Sequence, residues 1–451
     1  MKDGIRIGTG AGWWGDRIEP AAWNAERGAL DYLCFETMAE VTVSAAQVRK
    51  RRDPDFPGYD SYLDARMRAV LPACRRQGTR IVSNQGWINP RGAARRIVEL
   101  ARELGIGGLK VAAVDGALIT DRVLDLTDTI LETGAPTASL RDALVSAEAY
   151  LGAAPLVEAL RGGADVVVSG RVADPSLFLA PMMFEFGWDE HDAMRLGAGS
   201  AIGHLLECGA QVTGGYFSDP GFKDVPEPWN LAFPIAEVAR DGSAVLTKIA
   251  GSGGAVDLRT VKEQMLYEVH DPAHYITPDV VVDFTTVRLE QVGPDRVRVS
   301  GVSGKPRTAT LKVSLGCIEG FIGEDTFYYA GRGALRRAQL ARRILEERFR
   351  IVGLRADAVR IDLLGVNAVH GAATPADAPE PYEVGVRVAA RCRSRAEADK
   401  IGREIDGMAV CGVGMTGKHV PNKERVREVI GVWSALVPRA ALAPTVHWFE
   451  S

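Results

Sequence analysis

Short apolar runs alternate with amphipathic stretches along the first part of the chain. Five runs end at glycine or polar residues and predict strands: IRIGTG from Ile5, DYLCFE from Asp31, TRIVSNQG from Thr79, GLKVAAVDG from Gly108 and ADVVVSGRV from Ala164. Unbroken apolar strands are typical of parallel strands that are buried on both faces. The pattern therefore predicts a mostly parallel sheet.

Two stretches between these strands predict helices. PRGAARRIVELARELG, from Pro90, carries apolar residues at helical spacing, with Asn89 as the N-cap and Gly105 as the residue that stops the helix. SAEAYLGAAPLVEALRGG, from Ser146, shows the same pattern. Alternating strands and helices imply right-handed βαβ units. We therefore expect an α/β domain over residues 1–215, with a sheet that is either doubly wound or a partial barrel.

The pattern changes after residue 215. Residues 216–277 are rich in Gly and Pro with aromatic residues between them, which indicates an ordered connecting segment. In the remainder, VVVDFTTVRLEQVGPDRVRVSGVSG predicts an antiparallel hairpin around a Gly-Pro-Asp turn. A helix at GALRRAQLARRILEERFRIVG, strands at VRIDLLGV and YEVGVRVAARC, and a helix at SRAEADKIGREIDGMA follow. Residues 278–451 are therefore expected to form an α+β domain.

Composition limits the classes of function. The formal net charge of −4 and the pI near 6.1 give no electrostatic basis for binding nucleic acid or an anionic membrane surface. The start lacks the pattern of a secretory signal, and no apolar run reaches about 18 residues, so we expect a cytoplasmic protein. Six widely spread cysteines without a CxxC pair predict neither disulfides nor a zinc site, and we expect no metal.

Chemically useful side chains follow the predicted strands. Because the carboxyl ends of parallel strands meet at one edge of a sheet, these residues are candidates for a shared site. In strand order they are Gly10, Gly12 and Trp13, then Glu36 and Glu40, then Asn84 and Gln85, then Asp115, and finally Arg171 and Asp174. All except Glu36 and Glu40 are predicted to contact the substrate.

Glu36 is the first candidate for acid–base catalysis. A carboxylate at the end of an apolar strand is partly desolvated, which raises its pKa towards the working pH. A helix cap or a salt bridge is the alternative for Glu36. Asn84 and Gln85 offer amides for a substrate carbonyl or carboxylate. Arg171 offers a carboxylate or phosphate clamp, unless it pairs internally with Asp174.

Two glycine-rich stretches leave alternatives open. GTGAGWWGD, which contains Gly10, Gly12 and Trp13, fits either a tight loop beside a substrate pocket or the dinucleotide site of an NAD(P)-dependent oxidoreductase. KIAGSGGAVD places Lys248 before a turn that fits an anion cradle or a surface loop. A third glycine-rich stretch, GVGMTGKHVP, contains Lys418 and His419 and has low specificity.

GHLLECGAQVTGGYF, from Gly203, concentrates unusual side chains. In a helix, His204, Glu207 and Cys208 share one face and Gly209 ends the helix. A catalytic or binding cluster, a metal site and a packed structural helix are the three interpretations. Cys208 is a nucleophile only if its surroundings stabilise the thiolate.

Several motifs together resemble one known family. IRIGTGAGWWGD, LDYLCFETMAEVT, SNQGWINP, VVSGRVADPSLFLAP, GHLLECGAQVTGGYF and EQMLYEVHDPAHYITPDV are similar, in order and spacing, to the acyclic terpene utilisation family, AtuA. The resemblance implies a role in the catabolism of branched, terpenoid-type acyl-CoA esters or carboxylic acids. Some members continue into a small further C-terminal domain; if that domain contributes function, the resemblance implies that a separate small partner subunit supplies it here.

The resemblance and the candidate residues together suggest a lyase. We expect hydration, dehydration or carbon–carbon cleavage of a 3-hydroxyacyl substrate, with Glu36 or Glu207 as base, His204 as acid, and Asn84 stabilising the enolate oxygen. No cofactor is required, and coenzyme A would be part of the substrate. The protein is expected to be a homo-oligomer. A non-catalytic partner of a carboxylase or hydratase assembly is the alternative from another functional class.

Overall fold

The computed structural model describes residues 2–414 and 424–451, so the stretch with Lys418 and His419 lies outside the described residues. The α-helices of the described residues are α1 (Glu19–Arg27), α2 (Glu40–Arg52), α3 (Leu63–Gln77), α4 (Pro90–Glu103), α5 (Val123–Leu126), α6 (Ala154–Arg161), α7 (Ser176–Phe186), α8 (Ala193–Glu207), α9 (Leu258–Leu266), α10 (Ala334–Ile351) and α11 (Arg395–Cys411). The chain is a mixed α/β protein whose sheets are partly parallel, as the sequence predicts.

The β-strands complete the element order. They are β1 (Gly4–Ala11), β2 (Tyr32–Phe35), β3 (Arg80–Ser83), β4 (Lys110–Asp115), β5 (Leu144–Ala149), β6 (Val166–Ser169), β7 (Ile235–Ala239), β8 (Ala244–Thr247), β9 (Tyr275–Ile276), β10 (Val281–Asp283), β11 (Arg288–Gly293), β12 (Arg296–Ser300), β13 (Ser303–Lys305), β14 (Thr310–Ala330), β15 (Ala358–Leu364), β16 (Glu383–Cys392), β17 (Val426–Pro438) and β18 (Thr445–Glu450).

The chain divides into two compact units. The first comprises Met1–Gly316 and Val432–Ser451, and the second comprises Cys317–Gly431. The domain limits inferred from the sequence, at 215 and 277, stay a prediction. No helix of the described residues is long and apolar enough to cross a membrane.

A ten-stranded sheet organises the first unit. Its strand order is β11-β12-β8-β7-β1-β2-β3-β6-β4-β18. The five runs predicted as strands form its centre, where β1, β2, β3, β6 and β4 pair in parallel. One face packs against α1, α3 and α4, and the other packs against α6, α7 and α8. Both faces of the central strands are therefore buried, which explains their unbroken apolar runs.

Local signals place the ends of two helices correctly. The Asn89 side chain accepts a hydrogen bond from the Gly92 N–H (3.0 Å) at the start of α4, as an N-cap does. Gly105 follows the end of α4 with a φ of 71°, and Gly209 follows α8 with a φ of 57°. The left-handed conformation at these positions favours glycine.

Two predictions about single elements need correction. The stretch from Ser146 is not one helix, because residues 144–149 form β5, which pairs with β14, and α6 begins only at Ala154. Long-range pairing overrides the helical pattern there. The segment 216–277 is not only ordered loop, since it supplies β7, β8 and α9, and both strands join the large sheet. The predicted hairpin is confirmed as β11 and β12 and belongs to the same sheet.

The second unit has a simpler arrangement. Strand β16 lies between β15 and the later residues of β14, and all pair antiparallel. Helices α10 and α11 cover one face of this sheet, with a core that includes Tyr329, Val386 and Leu345. The helices and strands predicted in this part of the sequence are confirmed.

Candidate functional site

A cleft of about 670 Å³ opens at the carboxyl ends of the central parallel strands. It is lined by Gly12, Trp13, Glu36, Met38, Ala39, Glu40, Asp174, Glu207, Cys208, Tyr267, Glu268, His270, Asp271, His274, Tyr275, Ile276 and Lys312. A branch of about 280 Å³ shares Glu40, Asp174, Glu207, Glu268 and Lys312 with it and adds Arg171 and Tyr150. The structure therefore gathers acidic residues from distant parts of the sequence around one space.

Glu36 faces this cleft from the end of β2. Its Oε1 accepts hydrogen bonds from the Met38 N–H (2.6 Å) and the Asn84 amide (3.0 Å). Burial, followed by the nearby charge of Asp174, raises the pKa of Glu36 to about 8, although Arg171 and both hydrogen bonds oppose this. A carboxyl group with this pKa carries its proton at neutral pH and can donate it.

The two amides after β3 lie behind the cleft. Asn84 donates to Glu36, and its oxygen accepts from the Thr37 N–H (2.8 Å), so it positions Glu36; because it does not line the cleft, it does not contact an enolate oxygen there. Gln85 donates to Asp60 (2.9 Å), which forms a fully buried ion pair with Arg66 (2.5 Å). Neither amide lines the cleft, so both act through the groups that they hold.

Arg171 and Asp174 form the internal ion pair that the sequence left as an alternative. Their closest atoms are 3.2 Å apart, and Arg171 also donates to the Met38 carbonyl oxygen and lies 4.1 Å from the centre of the Tyr150 ring. Only 3% of the Arg171 side chain is exposed. Burial raises the pKa of Asp174 to about 6 despite the opposing charge of Arg171. The positive charge of buried Arg171 therefore offsets negative charge among the acidic residues that line the cleft.

Glu40 behaves differently from Glu36 although it lines the same cleft. Burial alone would raise its pKa, but Arg171 and the Tyr150 hydroxyl, which donates to Glu40 at 2.5 Å, lower it to about 2. Lys312 lies 3.5 Å from the same carboxylate. Glu40 is therefore ionised at neutral pH, whereas Glu36 is not.

His204 and Glu207 form a buried pair on α8. The Nδ1 atom of His204 lies 3.0 Å from Glu207 Oε1, and its Nε2 atom lies 3.0 Å from the Gln264 carbonyl oxygen. Burial lowers the pKa of His204 to about 4 and raises the pKa of Glu207 well above its usual value. Only Glu207 lines the cleft, so His204 cannot contact a substrate there and the predicted acid role of His204 needs correction.

Cys208 lines the cleft immediately after α8 as its C-cap. Burial raises the pKa of its thiol. A nucleophilic cysteine needs the opposite shift, because the thiolate is the reactive form. These surroundings do not supply the stabilisation on which the nucleophile prediction depended.

The glycine loop after β1 is shaped by packing within the protein. A Cβ at Gly10 would overlap the Phe35 ring, and one at Gly12 would overlap the backbone of Cys208 and Gly209. Trp13, which is 48% exposed, lines the cleft beside them. The first helix begins only at Glu19, so no helix start follows the glycines as a dinucleotide fingerprint requires.

Comparison with known proteins gives the family. The family model described as "Acyclic terpene utilisation family protein AtuA" matches residues 5–448. The chain belongs to the AtuA family. The match includes every residue that lines the cleft of this AtuA-family protein. No curated protein and no solved structure matches it.

Two predicted site residues of this AtuA-family protein lie elsewhere. Asp115 accepts a hydrogen bond from Arg91 (3.0 Å) and does not line the cleft. Lys248 pairs with Asp295 (3.1 Å) and donates to the Ser252 carbonyl oxygen (2.9 Å). Lys248 therefore holds its own glycine-rich turn together.

The AtuA-family cleft also contains groups that the sequence did not single out. Lys312 and Tyr150 come together because the Tyr150 N–H donates to the Lys312 carbonyl oxygen, in the pairing of β5 with β14. Glu148, on β5, does not line the cleft, but its carboxyl group is buried, has no hydrogen-bond partner among the described residues, and has a pKa raised by burial to about 8. Because the sequence predicts a helix where β5 lies, it does not place Glu148 and Tyr150 near the cleft. No local sequence pattern marks Lys312 as a site residue.

The acidic cluster does not form a recognisable metal centre. Among the residues that the structure describes, no group of three or more His, Cys, Asp or Glu side chains is arranged to hold a metal ion. Burial and mutual repulsion instead give the carboxyl groups different proton occupancies. The arrangement is suited to proton transfer.

Proposed function

We propose that this AtuA-family protein is a lyase of branched-chain acyl-CoA or carboxylic acid catabolism. The reaction would be hydration or dehydration, or carbon–carbon cleavage, of a 3-hydroxyacyl substrate. Family membership supports the terpenoid-type substrate class, and the carboxyl cluster supports the acid–base reaction. The proposed site lies mainly in the predicted α/β domain, residues 1–215, with Lys312 and residues 267–276 completing the cleft.

One observation carries the proposal: Glu36 and Glu207 face the same cleft, and burial raises the pKa of both carboxyl groups. Dehydration requires a base that removes the proton beside the carbonyl and an acid that protonates the departing 3-hydroxyl. Glu36 holds its proton at pH 7 and is the proposed acid. Glu207, whose Oε2 has no hydrogen-bond partner among the described residues, is the proposed base. Hydration uses the same groups in reverse.

Lys312 is the proposed contact for an anionic part of the substrate. Its side chain is 44% exposed and lines both the cleft and the branch, whereas Arg171 is buried and already paired. A flexible lysine can bind a carboxylate or a phosphate as a point charge. Lys312 therefore takes the role that the sequence suggested for Arg171.

The decisive experiment combines substrates with variants. The purified protein is incubated with a panel of branched 3-hydroxyacyl-CoA and 2-enoyl-CoA esters and the free acids, and products are identified by mass spectrometry. Gain or loss of water, or release of an acyl fragment, identifies the reaction. Glu36→Gln and Glu207→Gln should each lower kcat by about 10²-fold or more.

A matched control separates chemistry from folding. Glu158 is an exposed carboxylate on α6, so Glu158→Gln makes the same chemical change away from the cleft and should leave turnover intact. Full turnover by Glu36→Gln and Glu207→Gln would contradict the assigned roles. Turnover that appears only after a partner chain is added would favour the non-catalytic subunit instead.

A further inference from the structure

The surroundings of His204 determine which of its ring nitrogens carries hydrogen. The side chain is fully buried, and each nitrogen has a polar atom 3.0 Å away. The neighbour of Nε2 is the backbone carbonyl oxygen of Gln264, which can only accept a hydrogen bond. Nε2 must therefore carry a hydrogen atom in every protonation state that keeps this contact.

The same reasoning determines how many protons lie between Nδ1 and Glu207. If His204 is neutral, Nδ1 is an acceptor, so Oε1 of Glu207 must donate and the carboxyl group is protonated. If His204 is charged, Nδ1 donates and Glu207 is ionised. Without this proton, a lone pair of Nδ1 would face a lone pair of Oε1, which is repulsive. With a second proton, an N–H group would face an O–H group, which is also repulsive. The contact therefore holds one proton over a wide pH range.

The environment decides where this proton resides. An ion pair buried without solvent costs more than the neutral pair. Phe284 and Tyr275 pack on the imidazole ring, with ring centres 5.7 Å and 5.3 Å from its own. The charged or titratable groups that act on the pair are Asp174, Glu268, Arg171, Cys208 and Tyr275. Asp174 and Glu268 further oppose ionisation of Glu207.

We propose that His204 and Glu207 form a proton relay in which neutral His204 is a positioning residue. It accepts the Oε1–H of Glu207 and leaves Oε2, which is buried and has no hydrogen-bond partner among the described residues, as the proton acceptor of this cleft-lining residue. Because Oε1 already holds a proton, Glu207 acts as a base only if that proton has somewhere to go. His204 Nδ1 provides this place.

The transfer is balanced within the protein. The substrate loses the proton beside its carbonyl group, and its electron pair forms the enolate. A new O–H bond forms at Oε2 while the Oε1–H bond breaks and an N–H bond forms at Nδ1. Glu207 remains neutral, and the positive charge on His204 is offset by the nearby carboxylates Asp174 and Glu268. The reverse transfer restores the resting state when a proton returns to the product.

The resting proton arrangement is tested without any substrate. In protein labelled with ¹⁵N-histidine, one imidazole signal should show the neutral Nε2–H form, without titration, from pH about 6 to about 9. It should be absent from His204→Gln. An Nδ1–H form, a doubly protonated ring, or titration near the usual pKa of about 6.5 would overturn the proposal.

Kinetics test the relay, and this part rests on the proposed function. His204→Gln can still accept from Glu207 but takes up no proton, so kcat should fall by about 10²-fold with KM unchanged. Glu207→Gln should fold normally, because its amide can donate to Nδ1. Ser200→Ala, on the same helix, removes a buried hydroxyl that has no partner among the described residues and should leave kcat unchanged.

The outcomes separate the two proposals. Full turnover by His204→Gln would overturn the relay while leaving Glu207 as a possible base. A protein that converts no acyl ester, but shows the predicted imidazole signal, would overturn the proposed function while confirming the resting proton arrangement. A fall in kcat with Ser200→Ala equal to that with His204→Gln would also overturn the relay, because helix packing would then account for both.

Discussion

Replacing Glu36 by glutamine is expected to stabilise the first unit while it lowers kcat by about 10²-fold or more. Glutamine keeps a carbonyl oxygen where Oε1 accepts from the Met38 N–H and the Asn84 amide, so both hydrogen bonds survive. Glutamine also has no carboxyl group. The variant therefore avoids the free-energy cost of either protonating a buried carboxylate above its usual pKa or burying its charge. Residues that serve function at a cost in stability are common in active sites.

The magnitude follows from the pKa of Glu36. Its folded value of about 8 lies above the usual 4.5, so the stability that protonated Glu36 contributes is present below pH 4.5 and is lost as the pH rises through 8. At pH 7, about 2.5 units above the usual pKa, the raised pKa therefore lowers the free energy of unfolding by about 3 kcal/mol relative to its value at pH 4.5 or below. This is an upper value, since water entry and relaxation reduce the cost of a buried charge.

Tryptophan fluorescence during urea unfolding provides the assay, because all eight tryptophans lie in the first unit. The difference in free energy of unfolding between Glu36→Gln and the native protein should be near zero at pH 4 and should grow in favour of the variant up to pH about 8. Glu158→Gln, the exposed control, should show no such dependence. A destabilised Glu36→Gln, or a difference that does not change with pH, would refute both the raised pKa and the acid role.

Three further predictions concern the walls of the cleft. Gly12→Ala should lower the melting temperature and the turnover, because its Cβ would overlap backbone at the end of α8. Iodoacetamide at neutral pH should alkylate exposed Cys411 and leave Cys208 unmodified in peptide mass spectra, since burial raises the Cys208 pKa. Tyr150→Phe removes a hydrogen bond to ionised Glu40 and should cost about 1.5–3 kcal/mol at pH 7 in urea unfolding. Because the pKa of Glu40 is lowered to about 2, this cost should disappear as the pH falls from 4.5 towards 2.

Each of these has a defined contrary result. Gly107 has open space around it, so Gly107→Ala is the control for Gly12→Ala, and equal effects of the two substitutions would show that the close approach is unimportant. Rapid alkylation of Cys208 would revive the nucleophile hypothesis. An unchanged stability of Tyr150→Phe at pH 7 would show that other groups hold Glu40 ionised.

Local sequence patterns were sufficient to predict features that depend on a single helix or strand. The five apolar runs predicted the central parallel strands, and Asn89, Gly105 and Gly209 marked helix ends, because capping and left-handed backbone depend on neighbouring residues only. Glu36 was identified as a cleft residue for the same kind of reason. Its position follows directly from the end of a buried strand.

Residues whose role depends on distant partners could not be placed from local pattern. Residues 144–149 have a helical pattern, yet pairing with β14 makes them a strand and brings Tyr150 beside Lys312. Asn84 was a candidate for an oxyanion contact, but Glu36, 48 positions away, occupies its amide. Periodicity contains no information about such pairings.

Family membership, the central parallel strands and the place of Glu36 at the end of β2 could all be predicted from the order of residues along the chain. Helical spacing alone brought His204, Glu207 and Cys208 together at the end of α8. Only the tertiary structure decided that Glu207 faces the cleft and that His204 lies behind it against the Gln264 carbonyl oxygen. The physical reason is that proton occupancy depends on burial and on partners supplied by other elements, and neither is encoded in the spacing of residues along one helix.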